Sequence, residues 1–155
     1  MKNLYLTLIT FLFPISIILG QNNVNLNIGI LLDCFSQGQT DAIEHANKLN
    51  FDYNGIKEEE SGMNTLNFTN KLSDQLNLTY NLSANKCVFV QLITTDNKIF
   101  YKIKYEILKL NPKFVKTYND GNGVISIYKG NKYTYRIITD IFKGIRLNLI
   151  VIKLN

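Results

Sequence analysis

The sequence predicts an α+β fold built as a tandem repeat, in which one helix followed by an antiparallel four-stranded sheet occurs twice, with the helices packed on one sheet face. Three observations carry this prediction. Two segments space their apolar residues as a helix does, each is followed by short strand-like segments, and the turn signals of the two series match at a constant offset.

The first twenty residues have the pattern of a secretory signal peptide. Lys2 supplies a positive charge, Leu4–Leu19 is an apolar run, and Gly20 before Gln21 places a small residue at a cleavage position. The run is shorter than the ~20 residues that comfortably span a bilayer. No cysteine follows the cleavage position, which disfavours a lipoprotein anchor. We therefore expect a signal peptide over residues 1–20, cleavage between Gly20 and Gln21, and a secreted or periplasmic protein that is not a lipoprotein.

The remaining residues, 21–155, have the length of one α+β domain with its own core. Within it, the two repeats are expected at about 41–94 and 102–155. No second apolar run approaches membrane-spanning length without charges.

The first repeat begins with a helix predicted over Thr40–Asn50. Thr40 is its expected N-cap, and its apolar stripe consists of Ala42, Ile43, Ala46 and Leu49. The strands predicted after it are Phe51–Lys57, Met63–Thr69, Lys71–Leu82 and Cys87–Thr94.

The second repeat begins with a helix predicted over Asp96–Leu110. Asp96 is its expected N-cap, Pro112 would stop it, and the apolar residues recur at three- and four-residue steps. The strands predicted after it are Lys113–Tyr118, Val124–Lys129, Lys132–Thr139 and Ile145–Leu154.

An offset of 61 residues aligns the two series. It places Lys48-Leu49-Asn50 on Lys109-Leu110-Asn111, and Gly62 on Gly123. This tandem organisation resembles that of the secreted β-lactamase inhibitor proteins in architecture. No motif of that family is present, so the resemblance carries no residue across.

The chain has two cysteines, Cys34 and Cys87. An even number in an oxidising compartment is compatible with one disulfide. Both lie in apolar stretches, so two separate buried thiols are the alternative. The sequence leaves these two interpretations open.

Charge is divided unequally along the chain, whose formal net charge is +5. From Gln21 to Thr95, four Lys face eight Asp and Glu, a net charge of −4. From Asp96 onward, twelve Lys and Arg face four acids, a net charge of +8. A basic half of this kind predicts either packing against the acidic half or contact with an anionic partner.

A hairpin in the basic half supplies the candidate binding face. With Gly130-Asn131 as a two-residue loop, Tyr128 lies opposite Tyr133 and Ser126 lies opposite Tyr135. The tyrosines then share one face, as core packing or as a stacking platform, beside a basic face. The predicted binding residues are Tyr128, Lys129, Lys132, Tyr133, Tyr135 and Arg136.

No catalytic signature is present in the sequence. His45 is the only histidine and has no metal-ligand partner at a suitable spacing; G-x-S-x-G, P-loop and dinucleotide motifs are absent. No cofactor or metal is indicated. We therefore expect an exported, non-catalytic interaction module that binds a protein, an anionic polymer or a membrane surface. The alternatives are a small secreted hydrolase, whose site converges only in three dimensions, and a structural envelope component.

Overall fold

The computed structural model describes residues 26–58, 62–71, 73–121 and 123–155. The predicted signal peptide (residues 1–20) and its cleavage position between Gly20 and Gln21 lie outside this range. Among the described residues, no helix is long and apolar enough to cross a membrane.

The described chain contains three short α-helices, one 3₁₀ turn and eight strands. The helical elements are α1 (Ile28–Asp33), the 3₁₀ turn (Cys34–Ser36), α2 (Gln39–Lys48) and α3 (Asn97–Lys109). The strands are β1 (Phe51–Glu58), β2 (Asn64–Asn70), β3 (Ser73–Ser83), β4 (Lys86–Thr94), β5 (Lys113–Asp120), β6 (Gly123–Lys129), β7 (Tyr133–Phe142) and β8 (Ile145–Leu154). All eight predicted strands overlap observed ones, because alternating apolar residues bounded by turn residues are a local signal.

The strands form one antiparallel sheet in the order β1-β2-β3-β4-β8-β7-β6-β5. The predicted fold class is therefore wrong: the chain is not a tandem repeat of one helix and a four-stranded sheet, but a single eight-stranded sheet with three short helices. β4 pairs with β8 from Phe89 opposite Lys153 to Thr94 opposite Asn148. A sheet that ended at β4 would expose a row of unpaired backbone N–H and C=O groups, and pairing with β8 satisfies them.

Helix α3 confirms the helix predicted near Asp96–Leu110. The Asp96 carboxylate accepts hydrogen bonds from the backbone N–H groups of Lys98 (2.7 Å) and Ile99 (3.3 Å), which caps the first turn. The apolar spacing places one stripe of the helix on the sheet. Its buried residues are Phe100, Ile103 and Ile107.

The helical elements before β1, namely α1, the 3₁₀ turn and α2, differ from the sequence prediction, and we call them the covering layer. Its first part, α1 and the 3₁₀ turn, is helical and was not predicted, since six and three residues are too short to show helical periodicity. The predicted Thr40 cap is wrong because α2 begins at Gln39, after Gly38. The side-chain oxygen of Asn85, in the β3–β4 turn, accepts the Gln39 N–H instead (3.0 Å). A cap supplied from a distant turn leaves no trace in the local sequence.

The helices cover one face of the sheet, which we call the inner face. There α2 packs on β1, the 3₁₀ turn packs on β4, and α3 packs on β8 and β4. The buried sheet residues on this face include Leu66, Phe68, Leu78, Tyr80, Val90, Leu92, Ile150 and Ile152. β5 lies at the far edge of the sheet, and all eight of its residues are exposed. The core is therefore concentrated over β2, β3, β4 and β8.

The β6–β7 hairpin has a different register from the one predicted. Tyr128 lies opposite Tyr135, and Lys129 lies opposite Thr134. The predicted two-residue loop is wrong because three residues, Gly130 to Lys132, separate the strands. The register differs by two positions, so every side chain that remains in the two strands keeps its predicted face, whereas Lys132 lies in the loop.

Candidate binding surface

The uncovered side of the sheet, which we call the outer face, is polar over β2 and β3. Its Asn and Thr side chains bond to each other across the strands: Asn81 donates to Thr65 (2.7 Å), and Thr69 donates to Asn77 (3.0 Å). These bonds satisfy the amide and hydroxyl groups within the sheet itself. The outer face of this half therefore carries a self-bonded amide and hydroxyl surface with few charges.

The outer face over β5 to β8 has apolar and basic residues instead. Its apolar side chains are Ile125, Ile127, Ile138, Leu149 and Val151, which the strand register places side by side. Its cations are Lys113, Lys116, Lys129, Arg136 and Lys153, and we call these five residues the basic corner. All five are exposed.

The basic corner is assembled by strand pairing. Lys113 lies directly opposite Lys129, and Thr134 separates Lys129 from Lys153 in the same row across the sheet. Neighbouring strands lie ~4.8 Å apart, so Lys113 and Lys129 are within a Debye length (~8 Å at physiological ionic strength) of each other, whereas Lys129 and Lys153, two strands apart, are separated by about 10 Å. Like charges directly opposite each other destabilise a sheet. The arrangement is therefore one that stability alone does not favour.

The acids of this part of the outer face lie away from the basic corner. Asp120 is four positions along β5 from Lys116, and Asp140 is four positions along β7 from Arg136. At ~3.3 Å per residue, each separation is about 13 Å. Among the described residues, none of the five cations takes part in a salt bridge. Lys116 has its ammonium 4.9 Å from the centre of the Tyr118 ring, and all five cations remain exposed to solvent.

A cleft of about 530 Å³ opens beside the basic corner. It is lined by Phe89, Thr134, Arg136, Val151, Lys153, Leu154 and Asn155. The Asn155 side chain accepts a hydrogen bond from Thr134 (2.6 Å) and donates to the carbonyl of Gly130 (3.0 Å), which fixes Asn155 against the β6–β7 loop. The cleft thus combines two cations with apolar side chains and amide groups.

The structure divides the six predicted binding residues between the two faces. Tyr128, Tyr133 and Tyr135 lie on the inner face, where Tyr135 is only 3% exposed and burial raises the pKa of its hydroxyl. Lys129 and Arg136 lie on the outer face.

The remaining predicted residue, Lys132, lies in the β6–β7 loop with its ammonium 5.4 Å from the centre of the Tyr133 ring. The Phe35 ring also packs on Tyr133, and the centres of the two rings are 5.0 Å apart. The three tyrosines therefore contribute to packing on the inner face, and Lys129 and Arg136 contribute to the exposed outer face.

The sequence interpretation missed Lys113, Lys116 and Lys153 as members of this surface. They belong to β5 and β8, and only the strand order brings them beside Lys129 and Arg136. The high positive charge after Asp96 was the one sequence signal that pointed to them.

The two cysteines meet inside the core. The sulfurs of Cys34 and Cys87 are 3.3 Å apart, and both side chains are buried. Cys34 also donates to the carbonyl of Leu31 (3.0 Å). Burial raises the pKa of Cys34. The hydrogen bond between the two sulfurs lowers the pKa of Cys87.

His45 lies on α2, on the helix side of the sheet and away from the cleft. Its Nδ1 is 3.5 Å from the hydroxyl of Tyr80, and burial lowers its pKa below the ordinary value of 6.5. Within the described ranges, no group of three or more His, Cys, Asp or Glu side chains could hold a metal ion.

Most of the large apolar side chains that are exposed lie on α3 and on β5 to β8. They include Tyr101, Tyr105, Leu108, Phe114, Val124, Ile141, Phe142 and Ile145. Three of them, Ile141, Phe142 and Ile145, are at the tip of the β7–β8 hairpin and are each more than half exposed. The tip of the β7–β8 hairpin is therefore a second, apolar surface, separate from the basic corner, whose exposure to water is unfavourable.

Comparison of the chain with models of known protein families, with curated proteins and with solved structures finds no match.

Proposed function

We propose that this chain is an exported, non-catalytic binding protein for an anionic partner, which it contacts through the basic corner. The observation that carries the proposal is the cluster of five exposed cations, two of them at the cleft, with the nearest acids of β5 and β7 about 13 Å away along the strands. The leader pattern of residues 1–20 supports export.

The chemistry of the cluster suits a partner with repeated phosphate, sulfate or carboxylate groups. Lysines act as point charges, while the Arg136 guanidinium can donate two parallel hydrogen bonds to one anionic group. Apolar neighbours such as Ile127 and Val151 lower the local dielectric and strengthen each contact. Clustered charges of one sign also attract an oppositely charged partner before contact.

Binding is favoured over hydrolysis by the groups that line the cleft. The described lining residues offer cations, hydroxyls and amides. His45, the single histidine, lies on the helix side of the sheet, so it is not available to act as a base in this cleft.

The test compares two triple variants with the same change in net charge. Lys129→Gln, Arg136→Gln and Lys153→Gln remove charge at the basic corner. Lys98→Gln, Lys102→Gln and Lys109→Gln remove it from exposed positions on α3. Binding is measured to anionic vesicles, a DNA duplex and heparin, each at low and high salt.

We expect salt-sensitive binding to at least one of these probes and a loss of about 30-fold in the basic-corner variant, since three contacts at ~0.7 kcal/mol each give ~2 kcal/mol. The α3 variant should lose less than about threefold. Equal losses in both variants would make the effect one of net charge alone. Absence of salt-sensitive binding to all three probes would reject the proposal.

A protein partner is the second candidate, favoured by the exposed apolar tip of the β7–β8 hairpin. Replacement of Ile141, Phe142 and Ile145 by Ser should abolish a complex recovered from the exporting host. The basic-corner variant should leave that complex intact. The reverse pattern would place the protein contact at the basic corner.

A further inference from the structure

We propose that Cys34 and Cys87 form a disulfide in an oxidising compartment, and that this bridge locks the 3₁₀ turn onto β4. The two sulfurs are 3.3 Å apart, and a disulfide needs ~2.05 Å. The gap of about 1.2 Å can be closed by small rotations of the two side chains. The chain has no other cysteine, so this is the one pairing available within a molecule.

The bridge would join two layers of the fold. Cys34 opens the 3₁₀ turn directly after α1, and Cys87 is the second residue of β4, a central strand of the sheet. On either side of Cys34, Leu31 is fully buried and Phe35 packs on Tyr133. The link therefore falls at the centre of the contact between the covering layer and the sheet.

The covering layer has little stability of its own. Helix α1 has six residues and the 3₁₀ turn has three, far fewer than the ~12–15 that an isolated helix needs. The 3₁₀ turn is ordered by its contacts with β4, and α1 is ordered by its contacts with the 3₁₀ turn and with α3. A covalent link to β4 would supply the stability that local helix formation does not provide.

The oxidation requires an external disulfide, either oxidised glutathione or the active-site disulfide of an oxidoreductase. While the core is still open, the Cys87 thiolate attacks one sulfur of that disulfide and releases the other as a thiolate. Cys34 then gives up its proton and its sulfur displaces the attached thiol. Two protein thiols are oxidised, one external disulfide is reduced to two thiols, and the two protons pass to those thiols.

Burial sets the timing of this reaction. Cys34 and Cys87 are 0% and 1% exposed in the folded chain, so the external disulfide reaches them while the core is still open. Once formed, the bridge would be shielded from reductants by the same burial. It is therefore a stable structural link.

The first measurement is the thiol state of the wild-type chain refolded in a glutathione buffer and exposed to iodoacetamide in denaturant. We expect no alkylation and a mass lower by two hydrogens, with both cysteines alkylated after reduction. Alkylation of both cysteines without reduction would overturn the proposal, as would a disulfide-linked dimer.

The second measurement is hydrogen exchange of residues 28–36. Reduction of the wild-type protein should accelerate exchange there about tenfold or more. In the Cys34→Ala, Cys87→Ala variant, the reductant should have no effect. Equal exchange in the oxidised and reduced wild type would refute the locking role. The bridge lies on the helix side of the sheet, so loss of anion binding at the basic corner would leave this result unchanged.

Discussion

Two phenylalanines on the inner face provide a direct test of where the helices cover the sheet. Phe68 on β2 is 1% exposed, and its ring centre lies 5.6 Å from that of Tyr53 and 5.3 Å from that of Tyr80. Phe114 on β5 is 54% exposed and contacts Tyr128 at 5.6 Å. The two residues have the same chemistry and face, and they differ in what lies over them.

The expected losses on replacement by Ala are unequal. Phe68→Ala removes a fully buried ring and leaves a cavity, which costs about 4 kcal/mol. Phe114→Ala removes a ring that is only about half buried, and half of the ~1.5–3 kcal/mol for full burial is about 1 kcal/mol. With an unfolding entropy of ~2.1 cal/mol/K per residue over roughly 130 residues, these losses lower Tm by about 15 °C and 4 °C.

The assay is urea denaturation followed by circular dichroism, with thermal scans as a second measurement. An unchanged m value in both variants would show that the surface exposed on unfolding is unaltered. A loss at Phe114 as large as that at Phe68 would refute the reasoning, because it would require the covering layer to extend over β5.

Two further changes test local features. Burial lowers the pKa of His45 in the folded chain below the 6.5 expected for the unfolded chain, so the unfolded chain binds the proton more tightly. The free energy of unfolding therefore falls as the pH drops from 6.5 through the lower pKa of the folded state. His45→Gln should therefore reduce the fall in Tm between about pH 7.5 and 5.5; an identical fall in both proteins would contradict the shift. Ala84, in the β3–β4 turn, has a φ of 48°, which is costly for a residue with a Cβ. Ala84→Gly should raise the free energy of unfolding by about 0.5–1 kcal/mol in urea denaturation, whereas a loss would argue against the left-handed conformation.

The parts of the fold that sequence reasoning predicted are those with local causes. Helix α3 has its cap, Asp96, and its apolar stripe within one segment. The hairpin around Gly130 kept its predicted faces despite a wrong register, because a shift of two positions preserves the alternation of side chains. The short helix α1 lacked a periodic signal, and its order depends on burial of Leu31 in the core and on contacts with the 3₁₀ turn and α3.

The candidate site shows the same division. Lys129 and Arg136 were predicted to share one face because they lie on one hairpin, whose two faces can be worked out from its own residues. Lys113, Lys116 and Lys153 were missed because they join that hairpin through β5 and β8. The predicted face of tyrosines proved to be the inner one, since burial depends on which face the helices cover.

By itself, the sequence determined the approximate positions of the strands, the two faces of the β6–β7 hairpin and the concentration of positive charge after Asp96. The tertiary structure alone decided that one eight-stranded sheet forms, that its cations gather at one corner, and that Cys34 meets Cys87. The physical reason is distance along the chain. Side-chain alternation and helix capping act over two to four residues, whereas the pairing of β4 with β8 and the contact of Cys34 with Cys87 join segments more than fifty residues apart.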